Sequence, residues 1–223
     1  MSTRTPNDLY PTTPEAAAAL DLAVGPLFRG PVVDPTAGYG TLLEWSGVPF
    51  EHRRALDLSD APEQRVELER RLPREHIRVG VDSLHEPWPR GHIVANPPFV
   101  LLDAFVERII REVHDQCVNA AILTPVGFWH AQSRASLRPP SLFLALGWRP
   151  NFSCGLKPDG SEGSSAWQDY VWAVYEPFVE HTRWRRVERP QVDRAWVAEH
   201  ERLARIANGA TAPPPPLFRL LAP

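Results

Sequence analysis

The stretch Pro31-Val32-Val33-Asp34-Pro35-Thr36-Ala37-Gly38-Tyr39-Gly40, followed by Thr41-Leu42-Leu43-Glu44-Trp45, decides the fold. Residues 31–34 are a short apolar run closed by proline and glycine, the pattern of a buried strand that ends in a turn. Gly38 and Gly40 let the backbone turn tightly and let a ligand approach it. Residues 41–45 then open a helix. Alone, Gly-x-Gly describes an ordinary tight turn equally well. The next apolar segment changes that balance. It ends at Asp57, nineteen residues after Gly38, close to the roughly 20-residue spacing at which nucleotide-binding folds place an acid on a ribose. A carboxylate can accept hydrogen bonds from both ribose hydroxyls. Out of this context, Asp57 would read first as a turn or helix-capping residue.

The same alternation continues outward from this unit. Pro14-Glu15 and the alanines after it predict a helix with proline in its first turn. Residues 63–72 predict an amphipathic, solvent-facing helix. In residues 101–113 the apolar positions Leu101, Leu102, Phe105, Val106, Ile109, Ile110 and Val113 recur at helical spacing. Strands are expected at 55–58, 77–81, 93–95, 118–123 and 170–175, and a last helix at 193–207. Strands alternating with helices imply an α/β fold with a mostly parallel central sheet covered on both faces. Residues 125–165 break the rhythm, and a long irregular stretch in a compact domain is more often functional than filler. Residues 1–180 form the expected domain. Residues 181–223 are expected as an appendage: a basic segment, a helix and the proline tail that starts at Pro213.

The chain has 223 residues, 43% hydrophobic and 23% charged, enough for one domain with a sizeable core. No apolar run approaches the roughly 18–20 residues of a membrane span. The N-terminal residues lack the layout of a signal peptide, and Cys117 and Cys154 are too few for a disulfide framework. Both features point to a cytoplasmic protein. The net charge of −3 provides no global attraction for nucleic acid. Lys157 is the single lysine, so phosphate contacts would fall to arginines, which bind bidentately. Two patches qualify: residues 181–189, with Trp184 among arginines, and Arg134, Arg138, Arg149 and Lys157. For the first patch, a solvated connector is an equal reading. His85, His92 and His130 are isolated and read as surface or structural residues, and Cys117 as a small hydrophobe that begins a strand.

Asn96-Pro97-Pro98-Phe99 directly follows the strand expected at 93–95. A residue before proline is excluded from the helical region, so Asn96 is held in an extended turn. Pro97 offers a carbonyl acceptor without a competing N–H, and Phe99 a flat apolar face. Such a set would suit a planar substrate bearing an NH2 group. As an isolated tetrapeptide it reads first as a strand-ending turn with Phe99 in the core.

In order and spacing, Asp34-Pro35-x-x-Gly38-x-Gly40, Asp57, Asp82 and Asn96-Pro97-Pro98-Phe99 resemble the class I S-adenosylmethionine-dependent methyltransferases. More narrowly they are similar to the amino-methyltransferase branch that includes DNA N6-adenine methyltransferases. Tyr10-Pro11-Thr12-Thr13-Pro14 resembles the Tyr-x-Thr-Pro element that precedes the cofactor motif there, with one additional threonine that leaves Thr12 and Thr13 as alternative registers. Ser164-Ser165 through Trp172 is similar to the last hairpin of small phage and bacterial members. The likeness spans about residues 8–176.

The resemblance implies a Rossmann-like fold and S-adenosyl-L-methionine as cofactor. Tyr10, Thr12, Asp34, Pro35, Ala37, Gly38, Gly40 and Asn96 would shape the cofactor pocket, Asp57 would take the ribose, and Asp82 with Ser83 the adenine edge. Asn96 and the Pro97 carbonyl would accept from the target amine while Phe99 stacks on its ring. The implied reaction is methyl transfer to an exocyclic amino nitrogen, with N6 of adenine in DNA the leading expectation and residues 125–165 contacting the target. A buried N6 would have to be flipped out of the duplex. No metal is implied. The same motif also serves RNA bases and protein glutamine amides, and a non-catalytic subunit binding cofactor or nucleic acid is the remaining alternative.

Overall fold

The apolar run at residues 31–34 becomes β1 (Val32–Asp34), every residue of which is buried. In the computed structural model, which describes residues 10–152 and 168–207, β1 lies inside an eight-stranded sheet. The other strands are β2 (Arg53–Asp57), β3 (Ile77–Val79), β4 (His92–Ala95), β5 (Ala120–Pro125), β6 (Leu142–Leu146), β7 (Tyr170–Tyr175) and β8 (Arg183–Val187). Their order is β3-β2-β1-β4-β5-β7-β6-β8. The first five are parallel, β7 runs antiparallel to both β5 and β6, and β8 is parallel to β6. The strand order reverses between β1 and β4. In open α/β sheets ligands bind at such a switch point, beyond the carboxyl ends of the strands.

Alternation along the strands divides the core into two layers. Val32 and Trp172 join one layer, with Leu20, Trp45 and Leu68. Their neighbours Val33 and Val171 join the other, with Phe105, Ile109 and Tyr175. Thus α1 (Pro14–Val24), α2 (Thr41–Trp45) and α3 (Pro62–Arg71) cover one face, and α4 (Leu102–Gln116) covers the other. A Thr13 side chain that accepts the Ala16 N–H caps α1, and Pro14 follows it at the first helical position. At the other end of α4 the chain reverses through Cys117, in the left-handed region with φ 53°. Cys117 is therefore an exposed helix terminator rather than the first residue of a strand, which begins at Ala120.

Residues after 180, expected as an appendage, add β8 to the sheet and pack α5 (Arg194–Ala207) on the core, where Trp196 lies 6.2 Å from Trp45. The strands β6 and β8 were not anticipated. Leu142–Leu146 is hidden among arginine-rich neighbours, and β8 lies at the sheet edge with four exposed residues in a row. Edge strands tolerate charge, which discourages pairing with other chains. The basic patches are largely consumed by this architecture. Arg183, Arg186 and Arg189 pair with Glu176, Glu188 and Glu15, while Trp184 stacks on Phe143 at 4.6 Å. Arg134 pairs with Asp103 and lies over the Phe128 ring, Arg149 pairs with Asp169, and Arg138 donates to the carbonyls of Glu176, Pro177 and Val179. Lys157 and Ser164-Ser165 fall outside the described residues. Among the described residues no helix is long and apolar enough to cross a membrane.

Gly91, at the entry to β4, packs closely against the backbone that leads into β1. A Cβ there would meet the Pro31 carbonyl oxygen at 2.7 Å and its carbon at 3.1 Å. Neither atom can rotate away. Gly91→Ala is expected to destabilise the protein by about 1–3 kcal/mol, as overpacking does. A lowered urea midpoint with an unchanged slope would show it.

Candidate active site

A cavity of about 670 Å³ opens at the switch point, a size suited to a nucleotide-like ligand. The turn after β1 forms one wall. Asp34 is buried, and its Oδ1 accepts the Thr36 N–H at 2.9 Å and the Thr36 hydroxyl at 3.2 Å. Burial pushes the Asp34 carboxyl up to about 7; the Thr36 N–H opposes that shift, and nearby Asp57 adds to it. Asp57, at the end of β2, accepts the Gly38 N–H at 2.8 Å and the Ser59 N–H at 2.9 Å, one on each carboxylate oxygen. It therefore ties the glycine turn to the second strand, with a further lone pair on each oxygen left for a ligand.

On the opposite wall, Ser83 spends its hydroxyl on the Pro35 carbonyl at 2.6 Å, which joins the loop after β3 to the first turn. Its neighbour Asp82 is more open and accepts from the Leu84 N–H at 2.9 Å, with His85 Nδ1 at 2.7 Å. The contacts with His85 and Leu84 hold its carboxyl below the usual range.

Asn96 follows β4. Its Nδ2 donates to the Tyr10 carbonyl at 3.3 Å and to the Thr12 hydroxyl at 3.2 Å. The two threonine registers are thereby resolved: Thr12 serves Asn96, and Thr13 caps α1.

Tyr10, Thr12, Asp34, Pro35, Ala37, Gly38, Asp57, Asp82, Ser83 and Asn96 all line this one cavity. Gly40, Pro97 and Phe99 do not. Gly40, at φ 76°, faces α3, where a Cβ would meet Leu72 at 2.9 Å and Leu68 at 3.1 Å, so packing against that helix by itself calls for glycine here. Pro97 is buried. Phe99 is half-buried beside the cavity, with its ring 6.3 Å from Tyr10 and 6.3 Å from Tyr170, and Phe152 lies 5.0 Å beyond Tyr170.

Leu58 and Gln64 are among the lining residues that the sequence did not single out. Leu58 is 68% exposed immediately after Asp57, an apolar platform beside the acid. In the sequence Leu58 reads as the last apolar residue of the strand expected at 55–58, so nothing marked it as exposed. Gln64 on α3 is buried, and its Nε2 has no hydrogen-bond partner among the described residues. Its position inside a charged helix gave no signal either.

No family model and no curated protein matches the sequence. Solved structures do match the fold. Superposition on the EcoKI M protein, a type I restriction enzyme subunit, gives a TM-score of 0.57 at 15% identity, over 92% of this chain and 55% of that one. The type I restriction-modification methyltransferase subunit from Streptococcus thermophilus gives 0.54 at 13% identity, over 89% and 53%. A putative RNA methyltransferase from Pyrococcus horikoshii gives 0.53 at 15% identity, over 79% and 93%. This is the class I methyltransferase fold. The chain spans about half the length of the two restriction-modification subunits. In the methyltransferase fold the described cavity occupies the switch point of the sheet, and the glycine turn, the β2 acid and Asn96 all border it.

The carboxylate acceptors along the cavity suit a ligand with a cationic end and hydroxyl groups to donate. A positive charge near Asp34 would favour its ionised form, so binding and ionisation are linked. Affinity for a ligand that sets a positive charge beside Asp34 is expected to rise as pH climbs through about 7, and Asp34→Asn to flatten that rise. Calorimetric titration between pH 5.5 and 8 checks both. The sign for stability is opposite. The folded Asp34 pKa stands above its unfolded value of 3.8, so the ligand-free protein loses this group's contribution as pH rises from about 4 to about 7.

Proposed function

We propose that this chain transfers a methyl group from S-adenosylmethionine to an exocyclic amino nitrogen, with N6 of adenine in DNA as the preferred target. The observation that carries the reading is the polarity of the Asn96 amide. The Tyr10 carbonyl can only accept, so the Asn96 NH2 group must face it and the Oδ1 is left as an acceptor at the cavity. The cofactor, when bound, supplies an activated methyl sulfonium.

The residues of the chain would do the rest. Asp57 would hold the ribose, Leu58 and Asp82 border the adenine, and Asp34 face the cationic end. An amine conjugated to a ring is a poor nucleophile because its lone pair is delocalised. Asn96 Oδ1, fixed in advance, would accept one of its hydrogens and disperse the positive charge that develops on nitrogen. Alignment of amine and methyl provides much of the remaining acceleration. The aromatic rings of Tyr10, Phe99 and Tyr170 beside Asn96 favour a planar base over a flexible side-chain amide.

A second reading keeps the chemistry and takes an RNA base or a protein glutamine amide. The net charge of −3 and the internally paired arginines favour it. Incubation with radiolabelled cofactor and separate DNA, RNA and protein pools decides between them: label in DNA adenine is expected, and label confined to another pool would overturn the DNA assignment. Phe99→Ala is expected to weaken productive nucleic-acid binding by about 1–3 kcal/mol, the contribution of one stacked base, with Phe99→Tyr close to wild type. Competition binding with a target-containing oligonucleotide measures it.

A further inference from the structure

The segment that holds Asn96 is itself held from the far end of the chain. Residues 10–13 run between Asn96 and α5, and their polar groups are divided between the two sides. The Tyr10 carbonyl and the Thr12 hydroxyl accept from Asn96, while the Pro11 carbonyl between them accepts from His200 Nε2 at 3.1 Å. The Pro11 carbonyl can only accept, so Nε2 carries the ring proton. His200 is 4% exposed and lies edge-on to Trp45 at 6.2 Å.

Its helix is fastened independently. Arg202 donates to Glu67 at 2.5 Å and to Glu199 at 2.8 Å, and Arg71 bridges Glu199 to Glu67 and Glu44. All these carboxylates and guanidinium groups are largely buried or half-buried, and each has a partner, so α5 is anchored to α3 and α2 by a network costly to break.

We propose that His200 is a positioning residue for Asn96: by holding the Pro11 carbonyl it fixes the two acceptors that orient the Asn96 amide, which makes α5 part of the active unit. The proposal rests on the reading of Asn96 as the acceptor of the target amine. A histidine whose role is only to fill space beside Trp45 would be replaceable by another ring. One that acts through its N–H would not.

The test uses the full chain. His200→Phe keeps a ring but removes the donor, His200→Asn falls short of the Pro11 carbonyl, and His200→Gln restores an N–H near the Nε2 position. His200→Phe and His200→Asn are expected to lower kcat roughly tenfold, the upper range for one neutral hydrogen bond, and His200→Gln to recover most of it. In an Asn96→Ala background, His200→Phe should cost nothing further, because the group it positions is gone. A substrate-free readout accompanies these rates. The Asn96 side-chain NH2 signals in 15N-labelled protein should shift and exchange faster in His200→Phe than in wild type or His200→Gln. Unchanged Asn96 signals, or an equal rate loss with and without Asn96, would overturn the positioning role. Failure of the wild type to methylate any pool would instead sink the proposed function, while the amide signals would still decide the role of His200.

Discussion

Asn96→Ala is expected to reduce methyl transfer by about 100- to 1,000-fold, the loss seen when one preorganised polar group is removed from a reacting centre. The cavity walls that would contact the cofactor lie on other elements: Asp34 at the end of β1 and Gly38 in the turn after it, Asp57 at the end of β2, Asp82 and Ser83 after β3. Cofactor affinity should therefore fall much less than the rate. Asn96→Asp separates two parts of the role. It retains an acceptor toward the amine but sets a carboxylate oxygen against the Tyr10 carbonyl, so the orienting bond at 3.3 Å becomes a repulsion. Single-turnover rates with saturating cofactor, beside calorimetric Kd values, read both effects. An Asn96→Ala enzyme that turns over at nearly the wild-type rate would refute the proposed chemistry.

For Asp57→Ala the larger loss should be in binding. Two charge-assisted hydrogen bonds to ribose hydroxyls would disappear, each worth roughly 1.5–3 kcal/mol. That corresponds to at least a hundredfold weaker cofactor binding. The structure adds a second consequence. The same carboxylate accepts the Gly38 and Ser59 N–H groups, so its removal leaves two donors of the pocket wall without their partner. A lower melting temperature in the ligand-free protein should accompany the weaker binding. Asp57→Asn should show the smaller loss of the two, because its one remaining carbonyl can serve the turn or the ribose. Wild-type affinity in a folded Asp57→Ala protein would remove Asp57 from the cofactor site.

Local sequence patterns determined the parallel half of the sheet and the turns and acidic residues that border the cavity. The apolar run at β1, the glycine turn after it, the spacing to Asp57 and the proline-locked Asn96 each record a constraint that acts within a few residues. Burial sets the periodicity, and turn geometry selects glycine and proline, so both leave a readable mark.

Tertiary structure alone decided what depends on partners distant in the chain. Thr12 and Thr13 are the same residue type at adjacent positions; only the place of Asn96, 84 residues on, separates the one that serves the site from the one that caps a helix. Gly40 reads as a pocket glycine beside Gly38, yet Leu68 and Leu72 of the following unit explain why it cannot carry a side chain. The strands β6 and β8 are fixed by pairing across the sheet, and β8, exposed at the edge, has no burial pattern to betray it. The bond from His200 to Pro11 spans 189 residues. A hydrogen bond closed over such a distance selects one donor and one acceptor and imposes no periodicity on the residues between them, so only the folded chain reveals it.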